Sequence, residues 1–199
     1  MSSRKIHKII GLVLILPMLG WTITGMIFFI KPGYQGAYEQ LPVKTYPLEI
    51  PLIISPDSTW QEARLLRSVL GHHLLVTIEG KVKHLDPVSF VEKSPPTTAE
   101  LKKLIEDAVT VNHSRYGNRV EVNENGAVTN TGIEIKLDWQ NLKLMQMGQD
   151  TQLINLMYRI HYLQWTPIKE INQVLGVLGL VLLISLTVLG IRIYIKNKG

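Results

Sequence analysis

The sequence contains no cysteine among its 199 residues. This absence excludes disulfide bonds, thiolate metal ligands and cysteine nucleophiles. Any metal or cofactor would therefore have to be held by histidine, carboxylate, methionine or tyrosine side chains.

Sequence signatures of catalysis are also lacking. The chain has no nucleophile elbow, phosphate-binding loop, HExxH or paired-carboxylate pattern, which argues against hydrolytic catalysis. It has no glycine-rich dinucleotide motif either, so we expect no nicotinamide or flavin bound in a nucleotide fold. The sequence therefore assigns no catalytic residue and no metal site.

The net charge of +5 is unevenly distributed along the chain. Residues 32–151 carry 15 acidic residues against 12 lysines and arginines, so this segment is slightly acidic. The positive excess lies beside the apolar segments at the two ends of the chain. This distribution favours lipid headgroups as the partner and argues against nucleic acid.

Two apolar runs, residues 9–30 and 174–195, are each long enough for a helix to cross roughly 30 Å of hydrocarbon. No small-residue cleavage site follows the first run, so we interpret it as an uncleaved signal anchor. Basic residues precede the first run and follow the second. The positive-inside rule therefore places both termini in the cytoplasm and residues 32–155 on the other side of the membrane. For a protein of the bacterial inner membrane, that side is the periplasm.

These patterns divide the chain into segments. We expect a cytoplasmic N-terminus (1–8), a transmembrane helix (9–30), an extended connector (31–56), a folded domain (57–150), an amphipathic interfacial helix (151–166), a second transmembrane helix (167–195) and a cytoplasmic tail (196–199). Pro167 favours a break before the second span, because proline removes a helical hydrogen bond.

The middle of the chain combines strand and helix patterns. Short strands are predicted at residues 63–70, 74–79, 81–85, 119–122 and 132–137, with 142–147 as a further candidate and Asn125-Gly126 as a turn. Thr97 with Glu100 is a capping-box signal for a helix over 98–112. The prediction is a small α+β domain with one helix packed on an antiparallel sheet.

Small and polar residues follow one face of the first span. Steps of three or four residues connect His7, Gly11, Met18, Thr22 and Gly25. In lipid, small residues let a second helix approach closely. We expect the two spans to pack on each other, on a second copy of the chain, or on both.

Three segments carry a resemblance to a known family: RKIHKIIG at residues 4–11, VKHLDP at 82–87 and YRIH at 158–161. Together with the domain between two spans, they resemble the PepSY-associated transmembrane proteins of bacteria. The resemblance covers the whole length and is clearest at the membrane segments. It implies an α+β membrane protein in which two transmembrane helices flank a small periplasmic PepSY-like domain.

Larger relatives in this family include inner-membrane siderophore and ferric reductases, in which histidines at the matching Arg-x-x-His and Arg-x-His positions are associated with b-type haem. The resemblance therefore implies haem b ligands at His7 and His161. A further set of residues would lie at the haem edge or at a helix interface: Arg4, Trp21, Tyr158, Arg159 and Trp165.

The chain departs from the reductases by having two spans instead of four or more. Because roughly 30 Å of bilayer separates His7 from His161, the two cannot ligate one iron. A homodimer would supply a partner histidine in each leaflet and rebuild a four-span bundle; membership of a larger membrane complex is the other possibility.

Each histidine also has a structural interpretation. His161 could belong to an interfacial aromatic belt, and His7 could be part of the basic topology signal. His72 and His73 point to opposite faces of a strand, which argues against one metal site with both, and His113 would interact with a helix C-terminus.

Two function classes remain open. The first is an electron-transfer or reductase subunit that holds haem between transmembrane helices. The second is a non-catalytic membrane-anchored module that binds a partner protein or peptide in a regulatory or assembly role, as PepSY domains do in secreted peptidases.

Overall fold

A computed structural model describes residues 2–49, 53–55, 57–123 and 126–198 of the chain. It divides into two compact units. The two ends of the chain form the membrane unit, and residues 35–151 form the central domain. The predicted connector and the Asn125-Gly126 turn lie partly outside the described residues.

The described elements follow in chain order. They are α1 (Ser3–Ile30), α2 (Tyr34–Ala37), β1 (Glu62–Ser68), β2 (Gly71–Ile78), β3 (Lys81–Leu85), α3 (Thr98–Val109), α4 (His113–Tyr116), β4 (Val120–Asn123), β5 (Gly126–Thr129), β6 (Glu134–Asp138), β7 (Lys143–Met147), α5 (Gln149–His161) and α6 (Lys169–Lys198).

Helices α1 and α6 are both long and apolar enough to cross a membrane. The Ser2 side chain caps the start of α1 by accepting a hydrogen bond from the Lys5 amide. The helix ends at Lys31, whose backbone turns left-handed, ahead of Pro32. Helix α5 ends at His161, five residues before the predicted boundary at 166, and α6 begins at Lys169. Pro167 lies in the non-helical segment between them, so a break before the second span is present, but the helix ends ahead of the proline.

Glycines let α1 and α6 pack closely in the membrane unit. A Cβ atom added at Gly179 would lie 2.9 Å from Leu163 Cδ1 and 3.3 Å from the Trp21 ring. A Cβ at Gly190 would lie 3.2 Å from the Nε2 atom of His7. The expected packing of the two spans on each other is therefore confirmed.

The buried face of α1 differs from the predicted stripe. Leu14 and Thr24 are buried, whereas Met18 and Thr22 are exposed. A Cβ at Gly25 would meet no atom within 4 Å. Of the predicted stripe, Gly11 and His7 therefore face α6, while contact of the remaining positions with a second copy stays a prediction.

The central domain has two antiparallel sheets, with strand orders β1-β2-β3 and β4-β5-β6-β7. Helix α3 packs on β4 and β5, and Ile105, Tyr116 and Ile135 lie in the core beside them. The predicted α+β fold, with a helix on an antiparallel sheet, is confirmed. The separate three-stranded sheet was not predicted, because alternation identifies strands without identifying their neighbours.

The predicted capping box starts α3 as expected. Thr97 accepts a hydrogen bond from the Glu100 amide, and the Glu100 carboxylate accepts one from the Thr97 amide. The helix ends at Val109, three residues before the predicted boundary, because the Asn112 side chain caps a second short helix, α4. His113 is therefore the first residue of α4.

Arg115 joins the two ends of the central domain. Its guanidinium donates to the Asp150 carboxylate at 2.8 Å and to Gln146 Oε1 at 2.7 Å. The Gln146 amide in turn donates to the backbone carbonyls of Ala37 and Glu39. The ion pair with Arg115 lowers the pKa of Asp150. One cation thus holds together the segments where the chain enters and leaves this domain.

We predict that Gly179→Leu separates α1 from α6, because the new side chain would collide with Leu163 and Trp21. Cysteines introduced at Gly11 and Leu186, which face each other across the two helices, report the separation by disulfide cross-linking in this cysteine-free chain. The cross-linking yield should fall several-fold. Gly25→Leu is the matched control and should leave the yield unchanged; equal yields from both variants would contradict the prediction.

Candidate functional site

The last turns of α5 pack antiparallel to the second half of α1. Trp21 Nε1 donates to the His161 carbonyl at 2.7 Å, and the Phe28 and Tyr158 rings stack with centroids 4.5 Å apart. A Cβ at Gly20 would lie only 3.1 Å from the Ile160 side chain, so glycine permits this approach. His161 therefore lies beside the middle of the second half of α1, not at its end.

Helix α5 stops just after His161 in a Schellman-type turn. The Leu163 amide donates to the Ile160 carbonyl, the Gln164 amide donates to the Arg159 carbonyl, and Leu163 adopts a left-handed φ of 52°. Leucine is unusual at this position. Its side chain is buried and packs against Gly179 of α6, which offsets the backbone strain.

The Thr24 hydroxyl determines which nitrogen of His161 carries the proton. Thr24 Oγ1 donates to the Gly20 carbonyl at 2.5 Å and lies 2.8 Å from His161 Nδ1. Assigning the hydroxyl proton to the short bond with Gly20 makes Nδ1 the donor in the second bond. In the neutral ring Nε2 then keeps its lone pair, and no described residue hydrogen-bonds to it. This is the form of imidazole that ligates a metal.

A cavity of about 390 Å³ adjoins His161. Three helical segments contribute its other lining residues: Trp21, Tyr162, Leu163, Gly176, Leu180 and Leu183. The volume lies in the range of small-molecule sites, and the lining combines apolar surface with one imidazole. The arrangement has space for a small apolar ligand beside the imidazole.

His7 lies near the opposite end of α1. Its ring packs beside Gly190, and the neighbouring Arg4 donates a hydrogen bond to the Asn197 side chain. From His7 to Thr24 the helix rises about 25 Å. The structure therefore places His7 and His161 in separate positions, as the sequence predicts, and one iron could not contact both.

The remaining predicted residues fall into two groups. Trp21 and Tyr158 lie beside His161, Tyr158 through its stacking on Phe28. Arg159 is exposed, and Trp165 lines a different cavity together with Val13 and Pro17. The sequence analysis missed Thr24 and Phe28, although a hydroxyl inside an apolar span was a signal that Thr24 needs a partner.

The central domain contains a second group of histidines, and it is buried. His84 Nδ1 donates to the Trp139 carbonyl at 2.7 Å, His73 Nδ1 then donates to His84 Nε2 at 2.8 Å, and the Ser68 hydroxyl donates to His73 Nε2 at 2.7 Å. When both rings are neutral, every ring nitrogen of His73 and His84 therefore has a hydrogen-bond partner. His73 thus pairs with His84 and not with the adjacent His72.

This histidine pair joins the two sheets, because β2 and β3 carry the rings and Trp139 follows β6. The ring centroids of His84 and Trp139 are 4.1 Å apart, and both histidines are fully buried. Across the described ranges of the chain, no three histidine or carboxylate side chains cluster as metal ligands. The arrangement favours a structural role.

Burial, followed by the positive charge of Lys93, lowers the pKa of His73 to about 3. Burial also lowers the pKa of His84, although its bond to the Trp139 carbonyl acts in the opposite direction. Both shifts have one cause, because a charged imidazole loses its hydration inside the domain. The folded protein therefore excludes a proton that the unfolded chain would bind below about pH 6.5.

The fold and the site define a membrane protein with two spanning helices and an α+β domain between them in sequence. The family model described as the PepSY-associated TM region matches residues 2–197, and the chain belongs to this family. Comparisons with curated proteins and with solved structures gave no match.

We predict that the stability of the central domain falls as the pH is lowered from about 6.5 toward 3. In this window the unfolded chain binds protons that the folded histidines exclude, so the loss is at most about 1.4 kcal/mol per pH unit for each histidine. Hydrogen exchange of the β2 and β3 amides between pH 6.5 and 5, corrected for the intrinsic rate, measures it. His73→Phe should flatten this pH dependence, and the exposed His113→Ala should preserve it. An unchanged slope in His73→Phe would contradict the prediction.

Proposed function

We propose that this protein is a membrane-anchored electron-transfer or reductase subunit that binds b-type haem between transmembrane helices, with His161 as an axial ligand. The observation that supports it best is the state of the His161 ring. Its Nε2 atom is free, its Nδ1 proton is held by Thr24, and the ring lines an apolar cavity.

The surrounding residues fit such a group. Ligating histidines usually donate their second ring nitrogen to an oxygen acceptor, which fixes the tautomer and orients the ring, and Thr24 Oγ1 is such an acceptor. Gly176 leaves space on α6, while Trp21 and Leu180 contribute apolar surface to the same cavity. When bound, b-type haem would supply one-electron transfer at its iron.

A second axial ligand must come from outside the single chain. His7 lies about 25 Å away along α1, so it belongs to a separate site beside Gly190. We infer a homodimer that pairs His161 with His161 and His7 with His7, or a larger membrane complex that supplies equivalent ligands. Two haem positions, one in each leaflet, would then form a path across the membrane.

The orientation follows from the charges at the helix ends. Arg4, Lys5 and Lys8 precede the apolar part of α1, and Lys196 and Lys198 follow that of α6. We therefore place both termini in the cytoplasm of a bacterium, the spans in its inner membrane and the central domain in the periplasm. His161 would serve the periplasmic half of the membrane and His7 the cytoplasmic half.

The dithionite-reduced minus oxidised visible spectrum of the purified, haem-replete protein tests the proposal. We expect a sharp b-type α-band, reduced by about half in His161→Ala and in His7→Ala because each variant removes one of two sites. The control His113→Ala, in the central domain, should retain the full band. A flat spectrum from folded wild-type protein would overturn the proposal and leave the anchored partner-binding module as the function.

The role of Thr24 gives an independent prediction. Thr24→Val removes the acceptor for the Nδ1 proton, so haem affinity should fall about tenfold, whereas Thr24→Ser should retain it. Soret-band titration of the apoprotein measures the affinity, and the reduction potential of the bound state should shift in Thr24→Val alone. Identical affinity and potential in the valine variant would show that Thr24 does not orient His161.

A further inference from the structure

A second, larger cavity lies beside the one at His161 in the membrane unit. The second cavity has a volume of about 890 Å³ and shares Tyr162, Gly176 and Leu180 with the first. The shared residues make the two spaces neighbours along α6. Together they form a groove, the His161 groove, that extends from the start of α6 to Leu183.

The two ends of the His161 groove differ in polarity. Its lining on α6 passes from Lys169 and Gln173 through Gly176 to Leu180 and Leu183. Steps of three or four residues place these positions on one face of the helix. The groove is therefore polar and cationic where α6 begins and apolar beside His161.

Lys169 is available at the polar end. It is exposed, and no described carboxylate forms an ion pair with it. The neighbouring Asn172 is uncharged, and its side chain is held by three hydrogen bonds with Thr166. Arg159, the other nearby cation, lines neither cavity. Among the described residues that line the groove, Lys169 thus supplies the positive charge.

We propose that Lys169 binds the propionate carboxylates of haem and so sets its orientation in the His161 groove, an inference that rests on the proposed function. Haem is a flat apolar ring with its two carboxylates on one edge. A groove with an imidazole and apolar walls at one end and an unpaired ammonium at the other matches this distribution of polarity. Carboxylate binding at Lys169 directs the acidic edge toward the start of α6 and leaves the ring against Trp21 and Leu180.

The test compares haemin with its dimethyl ester, which has the same ring and iron but no carboxylate charge. Full-length apoprotein in nanodiscs of zwitterionic lipid is titrated with each compound and followed by the Soret band. Lys169→Gln should weaken haemin binding about three- to fivefold, the size expected for a partly exposed ion pair, and should leave the ester unchanged. Lys169→Arg should restore haemin binding, and Lys31→Gln, at the end of α1, should have no effect.

The outcomes separate this inference from the function on which it rests. If wild-type protein binds haemin and Lys169→Gln binds it equally well, the orientation by Lys169 is wrong while the haem site stands. Equal weakening of haemin and ester would assign Lys169 to packing of the groove and would also overturn the inference. Failure of folded wild-type protein to bind either compound would overturn the proposed function itself.

Discussion

The indole of Trp21 connects the three helices of the membrane unit. Its N–H group donates to the His161 carbonyl at the end of α5, and its ring packs against Gly179 of α6. A buried indole N–H requires a hydrogen-bond acceptor. The last carbonyls of a helix have no partner within that helix, so the His161 carbonyl can accept this bond. Water cannot replace a lost hydrogen bond in an apolar environment. The bond from Trp21 to His161 therefore defines the position along α1 beside which α5 ends. The position of His161 beside Thr24 follows from it.

The two histidine groups show how burial and hydrogen bonding lead to different chemistry. His73 and His84 use every ring nitrogen within a closed chain of bonds, so neither ring offers a lone pair to a ligand. His161 uses only Nδ1 among its ring nitrogens, and the residue lines a cavity. The residue type is the same in both places, but the count of satisfied nitrogens separates a structural histidine from a candidate ligand. Arg115 also has a structural role, because its guanidinium bonds to Asp150 and Gln146 at the ends of the central domain.

The candidate site was predicted in part. The sequence identified His161, Trp21 and Tyr158 as neighbours in the same region, and the structure brings them together. Arg159 and Trp165 lie close in sequence to His161 but elsewhere in space. Arg159 is two residues before His161 on α5 and therefore on another face of that helix, where it is exposed. Trp165 follows the left-handed backbone at Leu163, which turns the chain away after α5. Thr24 and Phe28 were not predicted: the hydroxyl of Thr24 indicated that it needs a partner, but the sequence does not say that the partner is His161, more than a hundred residues away.

The sequence by itself determined the features that depend on residues close together in the chain. The lengths of the two apolar runs define the spans, Thr97 with Glu100 starts α3, and Pro167 lies just ahead of the start of α6, because each depends on local hydrogen bonding or on hydrocarbon thickness. Tertiary structure decided which strands join which sheet, which face of α1 is buried, and which partner each histidine has. His73 bonds with His84 instead of His72, and His161 bonds with Thr24, because only the packed chain brings those atoms within hydrogen-bonding distance.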